Sequence, residues 1–179
     1  ADIQVLQPGN TDMIARSDTT WRLDPSISGG GYFYDIAPHQ IDLMCHFFGE
    51  YSNISGYSKN QQKKYSANDI VNGLISFKNG VQFRGIWCFN VSENEKKDNC
   101  SIYGSKGKIS FSFYGESVTL SREGEGKSKV HQFYQFKNPD HLQQPMITDT
   151  IHYFLGNGKN PCSAEEGMTV TNIMEGFNQ

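Results

Sequence analysis

The sequence predicts an α+β domain built on one largely antiparallel, open-faced sheet of six or seven strands, with helices packed on one face. Three observations lead there. Apolar residues alternate with period two through the middle of the chain. Helical spacing is confined to two stretches, one before and one after that middle. The breaks between strands are short and rich in Gly, Asn and Ser, as hairpins require. The expected organisation is a single domain over 1–179: an irregular region over 1–34, a helix over 35–48, a β-meander over 51–137 and two closing helices over 143–177.

Residues 1–34 carry Pro8-Gly9, Pro25 and the triplet Gly29-Gly30-Gly31, all strong breakers. From Asp35 the spacing becomes helical. Ile36, Leu43, Met44 and Phe47 fall on one face, Gly49 supplies the stop, and Pro38 sits in the first turn, where backbone N–H groups lack partners. From residue 51 the period falls to two. Val71, Ile75 and Phe77 lead into Asn79-Gly80, which predicts a two-residue hairpin turn. The return strand places Val81, Phe83, Gly85, Trp87, Phe89 and Val91 on one side. Further strands are expected around 99–104, 107–114, 117–122 and 129–137. The first closing helix, about 143–156, carries the stripe Met146, Ile147, Ile151, Phe154 and Leu155. The second, 163–177, opens with Ser163 and Glu166 in capping-box spacing. The sheet face away from the helices, if left apolar, would pair with a second copy, so a homo-oligomer through that face is expected.

Composition narrows the function classes. The 179 residues carry 16 Lys plus Arg against 19 Asp plus Glu, a formal charge of −3, which offers no general attraction to nucleic acid. No run approaches the ~18 apolar residues of a membrane span. With no signal-peptide pattern at Ala1-Asp2-Ile3, the expected compartment is cytoplasmic, with no membrane partner. Cys45, Cys88, Cys100 and Cys162 are irregularly spaced, without C-x-x-C, so buried free thiols and no metal are expected.

Chemistry concentrates in the segment from Gly29 to Asp42. On a helix, Asp35, His39, Asp42 and His46 form a single stripe. A carboxylate one turn from an imidazole fixes its tautomer and raises its basicity, a pair able to move a proton at neutral pH. The Gly triplet before it would let the backbone approach a ligand. Plainer readings stand beside these. Asp35 fits an N-cap, His39 fits a surface or hydrogen-bonded core residue, and His39 with Asp42 could share a cation.

The chain as a whole resembles the C-terminal domain of the Gfo/Idh/MocA oxidoreductases, the family of glucose–fructose oxidoreductase and inositol dehydrogenase. The family pattern of Trp-Arg, Gly-Gly-Gly and Asp-x-x-x-His-x-x-Asp is matched by Trp21-Arg22, Gly29 to Gly31, and Asp35, His39 and Asp42. The likeness continues through Asn68-Asp69, the Tyr103-Gly104-Ser105-Lys106-Gly107 turn and the Pro161 to Gly167 approach to the last helix. It implies hydride transfer with NAD or NADP on a small polar substrate, a sugar, polyol or related hydroxy compound. His39 would match the acid/base and Asp35 the carboxylate that orients it. Arg22 and Asp42 match segments that contact substrate, and 1–34 would supply a substrate loop. Ala37-Pro38 departs from the Gly found there in many members.

Two absences complete the expectation. No G-x-G-x-x-G opens a helix after a strand, and no Glu-Lys-Pro occurs. The resemblance places both in an N-terminal Rossmann domain missing from this chain, so the chain alone is expected to be inactive, with no cofactor bound. Gly124-Glu125-Gly126-Lys127-Ser128 imitates the end of a P-loop, but Ser121 occupies the first Gly position and a strand follows, so a hairpin turn is expected. The competing functional readings are a non-catalytic sugar-binding or assembly domain and a redox-neutral NAD-dependent glycosidase or isomerase.

Overall fold

The computed structural model describes residues 1–9, 21–124 and 129–178. Its centre is an eight-stranded sheet: β1 (Asp2–Leu6), β2 (Tyr51–Lys59), β3 (Ile70–Phe77), β4 (Gln82–Cys88), β5 (Lys97–Gly104), β6 (Gly107–Phe111), β7 (Ser117–Glu123) and β8 (Lys129–Gln135). The order across the sheet is β2-β3-β4-β1-β5-β6-β7-β8. Every neighbouring pair is antiparallel except β1 with β4. The helices are α1 (Pro25–Ser28), α2 (Tyr32–Phe48), α3 (Gln144–Phe154) and α4 (Ala164–Phe177).

The architecture is the α+β sheet expected, with two local corrections. Residues 1–34 are not wholly irregular, because β1 lies at the middle of the sheet and splits the expected meander between β4 and β5. Five residues with two inward apolar side chains, Ile3 and Val5, are a weak local signal. The strand owes its stability to partners on both edges. The hairpin at Asn79-Gly80 has a three-residue loop, Lys78–Gly80. The Phe77 N–H donates to the Val81 carbonyl at 2.9 Å, and Gly80 takes the positive φ of 89° that closes such a loop.

One face of β2, β3, β4 and β1 carries the core. Trp87 is at its centre, packed edge-on against Phe33 of α2 at 5.2 Å between centroids and tilted against Phe177 of α4 at 6.0 Å. Gly73 is required beneath it, since a Cβ there would lie 2.3 Å from the Phe177 ring. The α4 cap is the reciprocal Ser163–Glu166 box that the spacing predicts.

The opposite face is mixed, with Tyr57, Leu74, Tyr103 and Phe133 exposed among polar side chains. Register aligns Ser55, Leu74, Arg84, Asp2, Ser101, Ser110, Thr119 and Phe133 across all eight strands. Arg84 pairs with Asp2 at 2.8 Å in the middle of that row. The expected pairing surface is therefore apolar only in part. The α3 stripe also differs from expectation: Met146, Ile147, Ile151, Phe154 and Leu155 are all exposed and α3 buries none of its residues. No described helix covers the outer strands. Residues 125–128 of the P-loop imitation lie outside the described residues; on either side of them β7 and β8 pair in antiparallel register.

Candidate functional site

Helix α2 begins three residues earlier than the spacing predicts, at Tyr32, with Gly31 as N-cap at φ 78°. Asp35 is therefore not the N-cap. It lies in the first turn, where a carboxylate is favoured by the unpaired N–H groups of the helix start. Its Oδ2 accepts from Arg22 Nε at 3.2 Å, and the pair is partly shielded from water. Arg22 belongs to a short 3-10 turn, Trp21–Leu23, and its guanidinium lies 4.4 Å above the Trp21 ring. Stacking and the ion pair together orient a cation otherwise free to rotate.

The glycine triplet builds this corner by packing. A Cβ at Gly30 would lie 2.2 Å from the Tyr34 ring, and one at Gly31 would lie 2.5 Å from Ala67 Cβ. The N–H groups of Gly30 and Gly31 are taken by Ser28 Oγ, at 3.4 and 3.0 Å. Contrary to expectation, these two glycines admit protein neighbours and not a ligand. With both N–H groups taken, this helix start offers no free donors to a phosphate. Tyr34 in turn donates to Glu175 Oε1 at 2.8 Å, fastening α2 to α4. Burial and that contact push the Tyr34 hydroxyl up to about 12.

The stripe expected on α2 is present but divided. Asp35 is held by Arg22 at one end, and His39 is exposed one turn on, with no hydrogen bond between the two. Asp42 and His46 border a separate hollow of ≈ 380 Å³ with Cys45, Cys162 and Glu166. The inward face of the same helix is fixed at Gln40, whose Oε1 accepts from Trp87 Nε1 at 2.6 Å in the core. His39 is thus exposed on a helix whose inward face is packed in the core. No group of three or more His, Cys, Asp or Glu side chains able to hold a metal occurs among the described residues. The thiols differ from expectation in part: Cys88 and Cys100 are buried, Cys45 is half-buried and Cys162 is exposed. Burial pushes the Cys45 and Cys100 thiols up, to about 11 and about 12, so neither is a nucleophile at neutral pH.

Two further groups were not among the expected site residues, although Asn68-Asp69 is part of the family likeness. Asp69, at the start of β3, is buried and accepts from the N–H groups of Gln61 and Gln62 at 2.7 and 2.8 Å. Burial alone would raise its carboxyl, but these bonds outweigh it and hold it low. Tyr114, in the turn between β6 and β7, feels the charges of Asp98 and then Asp35.

An antiparallel sheet carries, on the face its helices cover, a glycine-started helix with an Arg–Asp pair and an exposed His. The GFO/IDH/MocA C-terminal domain profile matches residues 1–110. The chain belongs to that family. Oxidoreductase P35 of Formosa agariphila is 52% identical over 178 residues, which cover 99% of this chain and 52% of that protein. Among solved structures, levoglucosan dehydrogenase in complex with NADH superposes with a TM-score of 0.79 at 19% identity, covering 98% of this chain and 54% of that one. Aldose-aldose oxidoreductase from Caulobacter crescentus, complexed with glycerol, gives 0.75 at 14% identity, covering 98% and 51%. The chain spans about half the length of these relatives.

Proposed function

We propose that this chain is the substrate-binding half of an NAD(P)-dependent oxidoreductase acting on a sugar, polyol or related hydroxy compound. The observation that carries the reading is the Arg22–Asp35 pair beside a displayed His39 on a helix whose start is fixed by packed glycines. The family membership supports it, as do relatives whose names specify NADH, levoglucosan or an aldose. A nicotinamide held by the other half of the full-length protein would take or give the hydride.

The chain's own residues handle the proton and the substrate. His39 exchanges a proton with the reacting hydroxyl or carbonyl, which an imidazole does efficiently because its ordinary pKa lies near neutrality. Asp35, held by Arg22, orients the hydroxyl and stabilises positive charge on the ring as His39 takes the proton. Arg22 has further N–H donors free of Asp35 for substrate oxygens. Asp42 lies a helical turn away from His39 and serves at most the outer end of the ligand. A second copy would meet the mixed face, where Tyr57, Leu74, Tyr103 and Phe133 stand exposed among the hydroxyls.

The test is an absorbance assay for reduced nicotinamide, using the full-length protein with a panel of aldoses, anhydrosugars and polyols and with each nicotinamide nucleotide. Turnover of at least one compound is expected, and Asp35→Asn is expected to slow it by about a hundredfold or more. Under the reading as a non-catalytic sugar-binding or assembly domain there is no turnover to slow. Isothermal titration of this chain alone with NAD or NADP is expected to show no micromolar binding.

A further inference from the structure

The first part of the loop between β6 and β7 is tied to β5 by one carboxylate, and its end, Glu116, accepts from the N–H groups of Phe136 and Asn138. Asp98 of β5 accepts through Oδ2 from the Ser112 hydroxyl and from the Tyr114 N–H, the latter at 3.1 Å. Asp98 Oδ1 is buried and makes no hydrogen bond among the described residues. A native structure rarely leaves a buried carboxylate oxygen unsatisfied, because the lost hydration is not replaced. Asp98 holds the loop through its other oxygen.

Register shows where the loop is held. Trp87, Val5 and Asp98 lie side by side on β4, β1 and β5, on the helix-covered face. Adjacent strands are ~4.8 Å apart, so Asp98 stands ~10 Å from Trp87 along this row. Phe33 packs on Trp87, and Asp35 follows two residues later on the same helix. Asp98 therefore fastens the loop at the end of the sheet on which the first turn of α2 rests. Tyr114 is half-exposed there, and its hydroxyl makes no hydrogen bond among the described residues. Burial of the ring edge, then the charges of Asp98 and Asp35, raise that hydroxyl above its ordinary value, so it stays a neutral donor throughout the physiological range.

We infer that Tyr114 is a substrate-contacting residue forming the wall opposite Asp35, and that Asp98 is the residue that positions it. The ring supplies an apolar platform for one face of a cyclic sugar, and its hydroxyl donates to a sugar oxygen. Asp35 and Arg22 meet the substrate from the other side. The assignment rests on the proposed sugar or polyol chemistry of the site and deepens it: the substrate class favoured is a ring compound with an apolar face.

The experiment uses the full-length protein with whichever compound of the sugar and polyol panel it turns over best. Tyr114→Ala is expected to raise KM by about tenfold or more while kcat stays within about threefold, the signature of lost binding shared by ground and transition states. Tyr114→Phe, which keeps the platform, is expected to lose less. Asp98→Ala is expected to reproduce the Tyr114→Ala effect, and Asp98→Asn, which keeps an acceptor for Ser112 and Tyr114, to restore most of it. A KM unchanged in Tyr114→Ala overturns the inference and leaves the oxidoreductase reading standing. An Asp98→Asn variant as impaired as Asp98→Ala overturns the positioning role. No turnover of any compound overturns both the inference and the reading beneath it.

Discussion

The half of the sheet made by β2, β3, β4 and β1 and the half made by β5 to β8 are stabilised differently. The first is covered by α2 and α4 and holds nearly all the buried apolar residues, from Ile3 through Trp87 to Phe177. In the second, only Cys100 and Ser101 are buried among the described residues, and Ile109 and Tyr134 stand half-open on the face that the helices would cover. The same face of one sheet is thus a packed core at one end and an apolar surface at the other. The lesson concerns assembly: the first half carries its own stability, whereas the second half and α3 present surface suited to further protein. That surface supports the proposed apposition of a nucleotide-binding half.

Substitutions that act differently on the two halves sharpen this contrast. The largest effect is expected at Trp87. Trp87→Ala removes a fully buried ring and its contacts to Phe33 and Phe177 and should cost about 4 kcal/mol, against about 1 kcal/mol for Leu120→Ala in the outer half. Urea unfolding midpoints at constant m-value check both numbers. Equal losses at the two positions would break the comparison.

Asp69 comes next. Asp69→Ala leaves the Gln61 and Gln62 N–H groups without their acceptor and should cost about 2 kcal/mol. Its folded carboxyl is held below the usual value of ~3.9, so its contribution is complete above about pH 4 and fades as pH falls towards the folded value. Thermal melts of wild type and Asp69→Asn between neutral and acid pH should converge at the acid end. The smallest effect is expected on α3. Phe154→Ser changes a side chain that is 80% exposed and should alter the stability of this chain by no more than about 0.5 kcal/mol. In the full-length protein the same change should lower the melting temperature, because the proposed nucleotide-binding half would cover that side chain.

The contrast also explains what was legible in the sequence. The fold was legible where local period and packing agree: β3, β4, α4 with its cap, and the inward residues of α2 such as Ile36 and Met44. β1 was missed because a five-residue strand is specified by its two neighbours and not by its own pattern. The face of Phe47 was misjudged because helix spacing fixes an angle, and only tertiary packing decides how wide a sector is covered; Phe47 is half-exposed. At the candidate site, the motif residues Arg22, Asp35, His39 and Asp42 were legible as a pattern. Their division into a corner held by Arg22 and a separate hollow at Asp42 was not, because it depends on how the Trp21–Leu23 turn and the start of α4 meet α2. The roles proposed for Tyr114 and Asp98 were beyond local reading, since only register sets Asp98 in the row of Val5 and Trp87.

The central claim is that His39 moves the proton in a reaction on a sugar or polyol. It is tested most directly by comparing kcat of full-length wild type and His39→Ala at saturating substrate and nicotinamide nucleotide, with thermal melts to verify the fold. The account predicts a fall of about a hundredfold or more with an unchanged melting temperature, since His39 is exposed and supports no packing. A His39→Ala enzyme that turns over at the wild-type rate would contradict it.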